Sequence, residues 1–423
     1  MCNDAIMNFL LIALLGFASG LPLALTGGTL QAWATEQGLS LMAIGALSFV
    51  GQAYACKVLW APLVDQRPLP FIRGLRRSWL VWCQLGIALS LALIATCHLP
   101  QQFEFIIILA IIVAIFSATF DTVFDAFRIE YIAQKDYGFA NAVYISSYRI
   151  AMLVSGGLAL VAASYYGWRV VYGAMALLAL FGAAISYAVP AALPDPTVKT
   201  SPALWLRLNA LLNTKRPLFT WSQMLNRFIP RFGWVIAFIF LYKFGEAFGT
   251  ALSTSFLLRI GHFSLIQIGF TYKTCGLLAT LSGGFLGAIA YRYGSLRYLL
   301  LIFGMLQAIS IAWYIPIAAG HHKLLFMMLA VICEAGFAGM ATTVFVCFMM
   351  RLCHKDYVAT QFALLAALAA LGRIVTGPLA AWVIQRVGWV DYYYLSMLIC
   401  IPALAIIPIL WQHPVFKSQN GNS

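Results

Sequence analysis

The sequence predicts an all-α polytopic membrane protein of about twelve transmembrane helices in two pseudo-symmetric six-helix halves. Three observations carry this. The 423-residue chain is 63% hydrophobic and only 9% charged, against about 25% charged residues in an average soluble domain, so a soluble fold could not cover its surface. The apolar residues fall in runs long enough to span a bilayer, which takes ~20 residues each. A pattern of polar and aromatic residues in the first half returns in the second.

Hydropathy places the spans near residues 6–33, 41–63, 78–98, 104–127, 138–165, 169–190, 233–257, 264–291, 297–318, 323–350, 358–385 and 390–412. The first follows a start without Lys or Arg and runs past any small-residue cleavage site, so it reads as a retained span and not a signal peptide. It carries Gly16, Gly20, Pro22, Gly27 and Gly28, which permit close packing and bending. Connections are short except between Ala191 and Phe232. That stretch holds Pro194, Pro196, Pro202, Pro217 and Pro230 with six Lys or Arg. The domains therefore read as an N-terminal bundle (1–190), a basic linker (191–232), a C-terminal bundle (233–413) and a tail (414–423).

Charge sets the expected topology. With the N-terminus in the cytoplasm, seventeen of the 26 Lys and Arg lie on that side, among them Arg67, Arg73, Arg76, Arg77, Arg128, Arg292, Arg297 and Arg351. Only Arg169, Arg259, Lys323 and Arg386 lie opposite, a positive-inside bias that predicts both termini cytoplasmic. The net charge of +13 is then a topology signal with attraction to anionic lipid, and nucleic acid is not needed to explain it.

The repeat supports the halves. Ser155-Gly156-Gly157-Leu158-Ala159, Gly167-Trp168 and Tyr172 return as Thr376-Gly377-Pro378-Leu379-Ala380, Gly388-Trp389 and Tyr393, at an offset of 221 residues. Arg149-Ile150 matches Arg373-Ile374 only with a three-residue shift. Six-span repeats build many secondary transporters. The nine cysteines are scattered without a CxxC pair, and the six histidines, including His321-His322, fall at helix ends or loops. Neither a disulfide framework nor a metal site or cofactor is expected.

Two loops carry a shared motif. Ala61-Pro-Leu-Val-Asp65, Arg67 and Gly74-Leu-Arg76-Arg77 follow the second span. Gly287-Ala-Ile-Ala-Tyr291-Arg292-Tyr293-Gly294-Ser-Leu-Arg297 follows the eighth, with Tyr291 where the first has an acid. They resemble the G-x-x-x-D-R/K-x-G-x-R-R signature of the major facilitator superfamily. The resemblance implies that Asp65, Arg67, Gly287, Arg292, Gly294 and Arg297 form a cytoplasmic gate. In it the acid would rest against a helix N-terminus of the other half, where the dipole favours negative charge.

Eight charged residues, Asp121, Asp125, Arg149, Lys243, Glu246, Lys273, Glu334 and Arg373, fall inside the apolar runs. A charge at the bilayer centre costs ~2.5–3.5 kcal/mol on insertion scales, so such residues face a protein interior or a water-filled path. Asp121, Asp125 and Arg128 share one helix face by their i, i+4, i+7 spacing. Asp125 and Arg128 could equally be a salt bridge at the helix end. Lys243 and Glu246, at i, i+3, are either a self-neutralised pair or part of the path. Glu334 has no opposite charge on its own helix. The simplest cross-helix pairings are Arg149 with Asp121 and Arg373 with Glu334, while snorkelling explains Lys273 and Lys57. Gln31, Trp33, Gln52, Tyr54, Tyr144, Tyr148 and Tyr242 could wall a substrate cavity, or could be packing and interface anchors.

Ser19-Gly-Leu-Pro-Leu-Ala-Leu-Thr26, Gly28-Thr-Leu-Gln-Ala-Trp33, Val50-Gly-Gln-Ala-Tyr54, Leu59-Trp-Ala-Pro-Leu63, Asp121-x3-Asp125-Ala126 and Tyr148-Arg149-x2-Met152-Leu-Val-Ser-Gly-Gly157 resemble the AmpG-type muropeptide permeases, densely in the N-terminal half and thinly in the C-terminal half. The resemblance implies proton-coupled import of anhydro-muropeptides across the bacterial inner membrane by alternating access. It also implies that Asp121, Asp125 and Arg149 belong to the substrate or proton machinery. The alternative is a permease for another bulky anion, such as a siderophore or acetyl-coenzyme A. The expected partners are a sugar-peptide, protons and lipid, with the monomer as the working unit. A membrane enzyme would add a soluble domain or large polar loops, and a non-transporting sensor would shed its membrane charges.

Overall fold

The computed structural model describes residues 2–39, 47–99, 101–191, 232–263, 267–268, 271–353, 357–374, 376–411 and 416. The expected linker lies almost wholly outside them. In hydrocarbon every backbone N–H and C=O must be satisfied internally, and a helix does this within one segment. The described residues are accordingly helical and contain no strand. Nine helical stretches among them are long and apolar enough to cross a membrane.

The chain divides into two compact units. The first gathers Met1–Ile132, Val143–Gln223 and His354–Ala363, and the second gathers Ala133–Ala142, Met224–Cys353 and Leu364–Ser423. Residues 133–142 group with the second unit and 357–363 with the first.

In the first unit, α1 (Cys2–Thr26) and α2 (Gly28–Glu36) form one span broken at Gly27, whose φ of −105° and ψ of −110° leave the helical region. The described part of the second span is not one helix. It runs as a 3-10 turn (Leu47–Gly51), α3 (Gln52–Cys56), a second 3-10 turn (Lys57–Leu59) and α4 (Ala61–Gln66). Pro62 in the first turn of α4 suits a fresh helix start. Next come α5 (Leu75–Thr96), α6 (Phe103–Tyr131), α7 (Tyr137–Met152), a π-helical turn (Leu153–Leu158), α8 (Ala159–Tyr166) and α9 (Trp168–Ala188).

The second unit holds α10 (Phe232–Thr250), α11 (Ser253–Arg259), a π-helical turn (Thr271–Gly276), α12 (Leu277–Tyr293), α13 (Leu296–Ser310), α14 (Tyr314–Ala318) and α15 (Leu324–Leu352). The chain continues as α16 (Val358–Ile374), which begins in the first unit and ends in the second, α17 (Thr376–Ile399) and α18 (Ile401–Leu410).

The repeat is written into these boundaries. Helices start 221 residues apart at Leu75 and Leu296, Phe103 and Leu324, and Tyr137 and Val358. Both α6 and α15 have 29 residues, about 43 Å at 1.5 Å per residue. That exceeds the ~30 Å hydrocarbon core, so their charged ends, Arg128 with Glu130 and Arg351, extend past it. Gly167 (φ +79°) and Gly388 (φ +80°) turn the chain at matching points, in a region where Gly pays no Cβ penalty. Each turn is followed by a buried aromatic cluster. Trp33 stacks on Trp168 at 5.8 Å beside Tyr172, and Trp389 packs on Phe256 at 4.8 Å beside Tyr393.

Outward faces carry exposed apolar stripes at helical spacing, such as Leu85, Leu89 and Leu93 on α5 and Ile108, Ile111 and Ile115 on α6. These face lipid, which gives no hydrophobic drive for helix association, so small residues set the contacts. A Cβ on Gly283 would lie 2.1 Å from the Gly336 carbonyl, and one on Gly339 2.4 Å from that of Thr280. Gly283→Val should therefore force α12 from α15 and destabilise the second unit by ~1–3 kcal/mol or more. Gly173→Ala, where a Cβ meets nothing within 4 Å, should leave the detergent melting temperature unchanged or slightly raised. Equal melting of the two variants would contradict this packing.

Candidate functional site

In the first unit the acidic face of α6 is buried. Asp121 is 9% exposed and accepts a 2.5 Å hydrogen bond from Ser19 of α1. The cation acting most strongly on it is Lys57. Around it, Tyr54 donates to Ser117 Oγ at 2.9 Å and the Trp60 indole donates to Thr119 Oγ1 at 2.9 Å. These bonds tie the broken second span to α6. Such a carboxylate, screened from water and bonded through a hydroxyl, can hold or release a proton at modest cost. One turn on, Asp125 pairs with Arg128, whose guanidinium lies 4.0 Å over the Tyr144 ring, a favourable cation–π stack. Tyr144 and Tyr148 meet edge to face at 5.8 Å.

A second constellation of this unit centres on Asp65, which is 7% exposed. One oxygen accepts from Arg76 Nη2 at 2.8 Å and from the Ala359 N–H at 3.1 Å. The other accepts from the Thr360 N–H at 2.8 Å and its hydroxyl at 2.7 Å. Ala359 and Thr360 open α16, so the carboxylate caps a positive helix end. Arg76 also grips Glu130 through two nitrogens, at 3.0 and 2.5 Å, the bidentate form that adds strength and fixes geometry.

In the second unit the corresponding contact has Tyr291 where the first has its carboxylate. The Tyr291 hydroxyl donates to the Gln134 carbonyl at 3.0 Å, Arg351 reaches the Gln134 side chain at 3.5 Å, and Arg292 stands 3.9 Å from Asp136. That last pair is partly solvated and is worth ~0–1 kcal/mol. Gly287 lets α12 approach α15, since a Cβ there would meet Met340 backbone at 2.9 Å.

Deeper in this unit Lys243 of α10 is 5% exposed. It donates to Glu246 at 2.5 Å and to the Thr342 hydroxyl of α15 at 2.8 Å. Glu334, two turns before Thr342, is half-buried, and among the described residues it makes no hydrogen bond or ion pair. The same holds for Arg149 in the first unit.

The profile of the Major Facilitator Superfamily matches residues 12–377. The chain belongs to the major facilitator superfamily. Within it the chain is similar to the anhydromuropeptide permease of Escherichia coli strain K12, at 38% identity over 97% of this chain and 81% of that one. The likeness extends to the AmpG 4 transporter of Rickettsia conorii, at 29% identity over 94% of this chain and 95% of that one. These place the chain with the AmpG-type permeases, as a multi-pass transporter and not an enzyme. Among solved structures, the proton:xylose symporter XylE superposes with a TM-score of 0.67 at 15% identity, covering 96% of this chain and 94% of that one. The Escherichia coli fucose:proton symporter FucP gives 0.65 at 16%, covering 96% and 97%. At that identity they show the major-facilitator fold alone.

Several expectations for this facilitator need correction. Arg149 does not pair with Asp121, because Ser19 takes the carboxylate and Lys57, expected only to snorkel, supplies the nearby charge. Trp33 (5% exposed) is sealed against Trp168 and Tyr172 as a packing residue, while Tyr242 (6% exposed) stacks on Phe345 and borders a cavity of only about 20 Å³. Gln31, Tyr54, Tyr144 and Tyr148 stay half-buried. In the gate motif Arg67 is exposed, and Arg297 stacks over Tyr298 and Trp411. The side chains of Gln52, Lys273 and Arg373 lie outside the described residues. Sequence reasoning missed Ser19 and Thr342, both hydroxyls in apolar runs. Thr342 was within reach, since it stands 221 residues after Asp121.

Asp65→Ala removes one partner of a buried pair and strips four hydrogen bonds, so it should destabilise the protein by ~3–5 kcal/mol. Arg292→Ala should change stability by less than ~1 kcal/mol. Thermal unfolding in detergent checks both, and comparable losses would contradict the asymmetry between the two loops.

Proposed function

We propose that the chain is a proton-coupled carrier that imports anhydro-muropeptides, GlcNAc-anhydroMurNAc with or without peptide, across the bacterial inner membrane by alternating access. Both termini then lie in the cytoplasm, and the monomer is the working unit. The observation that supports the substrate is the 38% identity to the Escherichia coli anhydromuropeptide permease over 97% of this chain. The geometry supports the coupling, because Asp121 is a buried acid on a hydroxyl of the first span, beside a lysine.

Asp121 binds a proton in one access state and returns it in the other. The charged form is held by Ser19 and Lys57. The neutral form removes the cost of a charge in low dielectric and loosens α1 from α6. The break at Gly27 gives the first span a place to bend. Asp65 acts as a latch on the first turn of α16, let go when the cytoplasmic side opens, and Tyr291 with Gln134 provides an uncharged counterpart.

Uptake of labelled GlcNAc-anhydroMurNAc into inside-negative, inside-alkaline proteoliposomes should be driven by the gradient. Entry of a siderophore without muropeptide would favour the alternative of another bulky anion and end this reading. Asp121→Asn should lower gradient-driven uptake by about 100-fold or more. Glu334→Gln should impair transport more than Glu36→Gln, because Glu36 sits at the exposed end of α2 bonded to the Trp168 indole. Equal uptake by these last two would remove Glu334 from the mechanism.

A further inference from the structure

We infer that Lys243 is the seat for a carboxylate of the substrate, and that Glu246 fills that seat when it is empty and gives it up on taking a proton. This deepens the carrier reading above and rests on it. The first support is the repeat. Asp121 of α6 and Thr342 of α15 are 221 residues apart, and each bonds to the opening span of its own unit, Ser19 of α1 and Lys243 of α10. The same station thus holds an acid with a hydroxyl donor in one unit and an ammonium with a hydroxyl acceptor in the other. The first can carry a proton, and the second is built to hold an anion.

The second support is the pair itself. A buried ion pair between neighbours on one helix gains little over two apolar side chains in the same space, so stability does not account for it. Its members differ in freedom. The Lys243 side chain is 7% exposed, fixed by Thr342 and 5.3 Å from the Phe345 ring centroid, while the Glu246 side chain is 18% exposed. Glu246 also lines a cavity of about 20 Å³ with Tyr242, Gln307 and Cys400, room for one water.

The third support is the charge count. The groups facing Glu246 are Lys243 and Tyr242 on α10, Glu334 from α15 and Cys400 from the end of α17. The flanking stretches of α13 and α18 present Gln307, Ala403 and Leu404. Lys243 is paired with Glu246, and Glu334 adds a second carboxylate nearby that has no ion pair of its own among the described residues. A third, brought by substrate, is not tolerable in low dielectric unless one acid is neutralised. Substrate anion and proton must therefore arrive together, and Glu246, in direct contact with Lys243, is the acid whose neutralisation empties the seat. In an anhydro-muropeptide the fitting group is the lactyl carboxylate of the muramyl ring, or a carboxylate of the attached peptide.

Calorimetric binding by the purified full-length protein tests this, using GlcNAc-anhydroMurNAc as the free acid and as its neutral methylamide, near pH 6 and near pH 8. The wild type should bind the acid about tenfold or more tightly than the methylamide, and more tightly at the lower pH. Lys243→Met should bind both forms alike, at the wild-type affinity for the methylamide. Where that variant does not fold, the double variant Lys243→Met with Glu246→Gln, which leaves no unpaired charge, is measured in its place with the same expectation. Glu246→Gln should keep the preference for the acid but lose its pH dependence. Retention of the preference without Lys243, loss of both forms by a folded variant, or unchanged pH dependence in Glu246→Gln overturns the inference. A wild type that binds both forms equally overturns the inference alone. A wild type that binds neither overturns the carrier reading as well.

Discussion

A charged side chain buried among membrane helices must find a partner or give up its charge, and the polar architecture of this protein follows from that constraint. Arg76 is shared between Asp65 and Glu130. Arg128 is closed by Asp125 beneath the Tyr144 ring, and Lys243 by Glu246 and Thr342. Each of these cations faces at least one carboxylate. Asp121 is held more lightly, by one hydroxyl and the field of Lys57. Glu334 and Arg149 have neither hydrogen bond nor ion pair among the described residues. The Asp65–Arg76–Glu130 set ties α4, α5, α6 and α16 together, while the proposed carrier uses the lightly held Asp121 for protons and the Lys243–Glu246 pair for substrate.

The repeat shows how one scaffold separates two chemistries. Helix lengths, starts and the glycine turns at Gly167 and Gly388 coincide at the 221-residue offset. The side chains at matching stations do not. Asp121 becomes Thr342 at that offset, and in the loop motif the carboxylate of Asp65 becomes the phenol of Tyr291. Packing constrains the helix faces that must approach closely, as at Gly283 and Gly339, and leaves the inward polar stations free to diverge.

Much of this was legible in the sequence, for a physical reason in each case. Long apolar runs can only be helices in lipid, so the spans could be read directly. The i, i+3 spacing of Lys243 and Glu246 brings the two side chains together on any helix, whatever packs around it. Contacts across helices depend on rotations that hydropathy does not contain. Arg149 was matched to Asp121 by depth alone, while Ser19, a small hydroxyl in an apolar run, gave no signal. The second span reads as one run by composition, yet around Lys57 it breaks into short turns, and this brings a lysine expected at the membrane surface within range of Asp121. Trp33 reads as a cavity residue in the sequence because amphipathic rings serve both uses, and only its burial decides which.

The central claim is that an anionic muropeptide and a proton move together. Its most direct test is the pH of a lightly buffered medium around proteoliposomes that start without any gradient. Addition of GlcNAc-anhydroMurNAc outside should alkalinise the medium as substrate enters with protons, and the signal should vanish in Asp121→Asn. Substrate accumulation with no change in external pH would contradict the account.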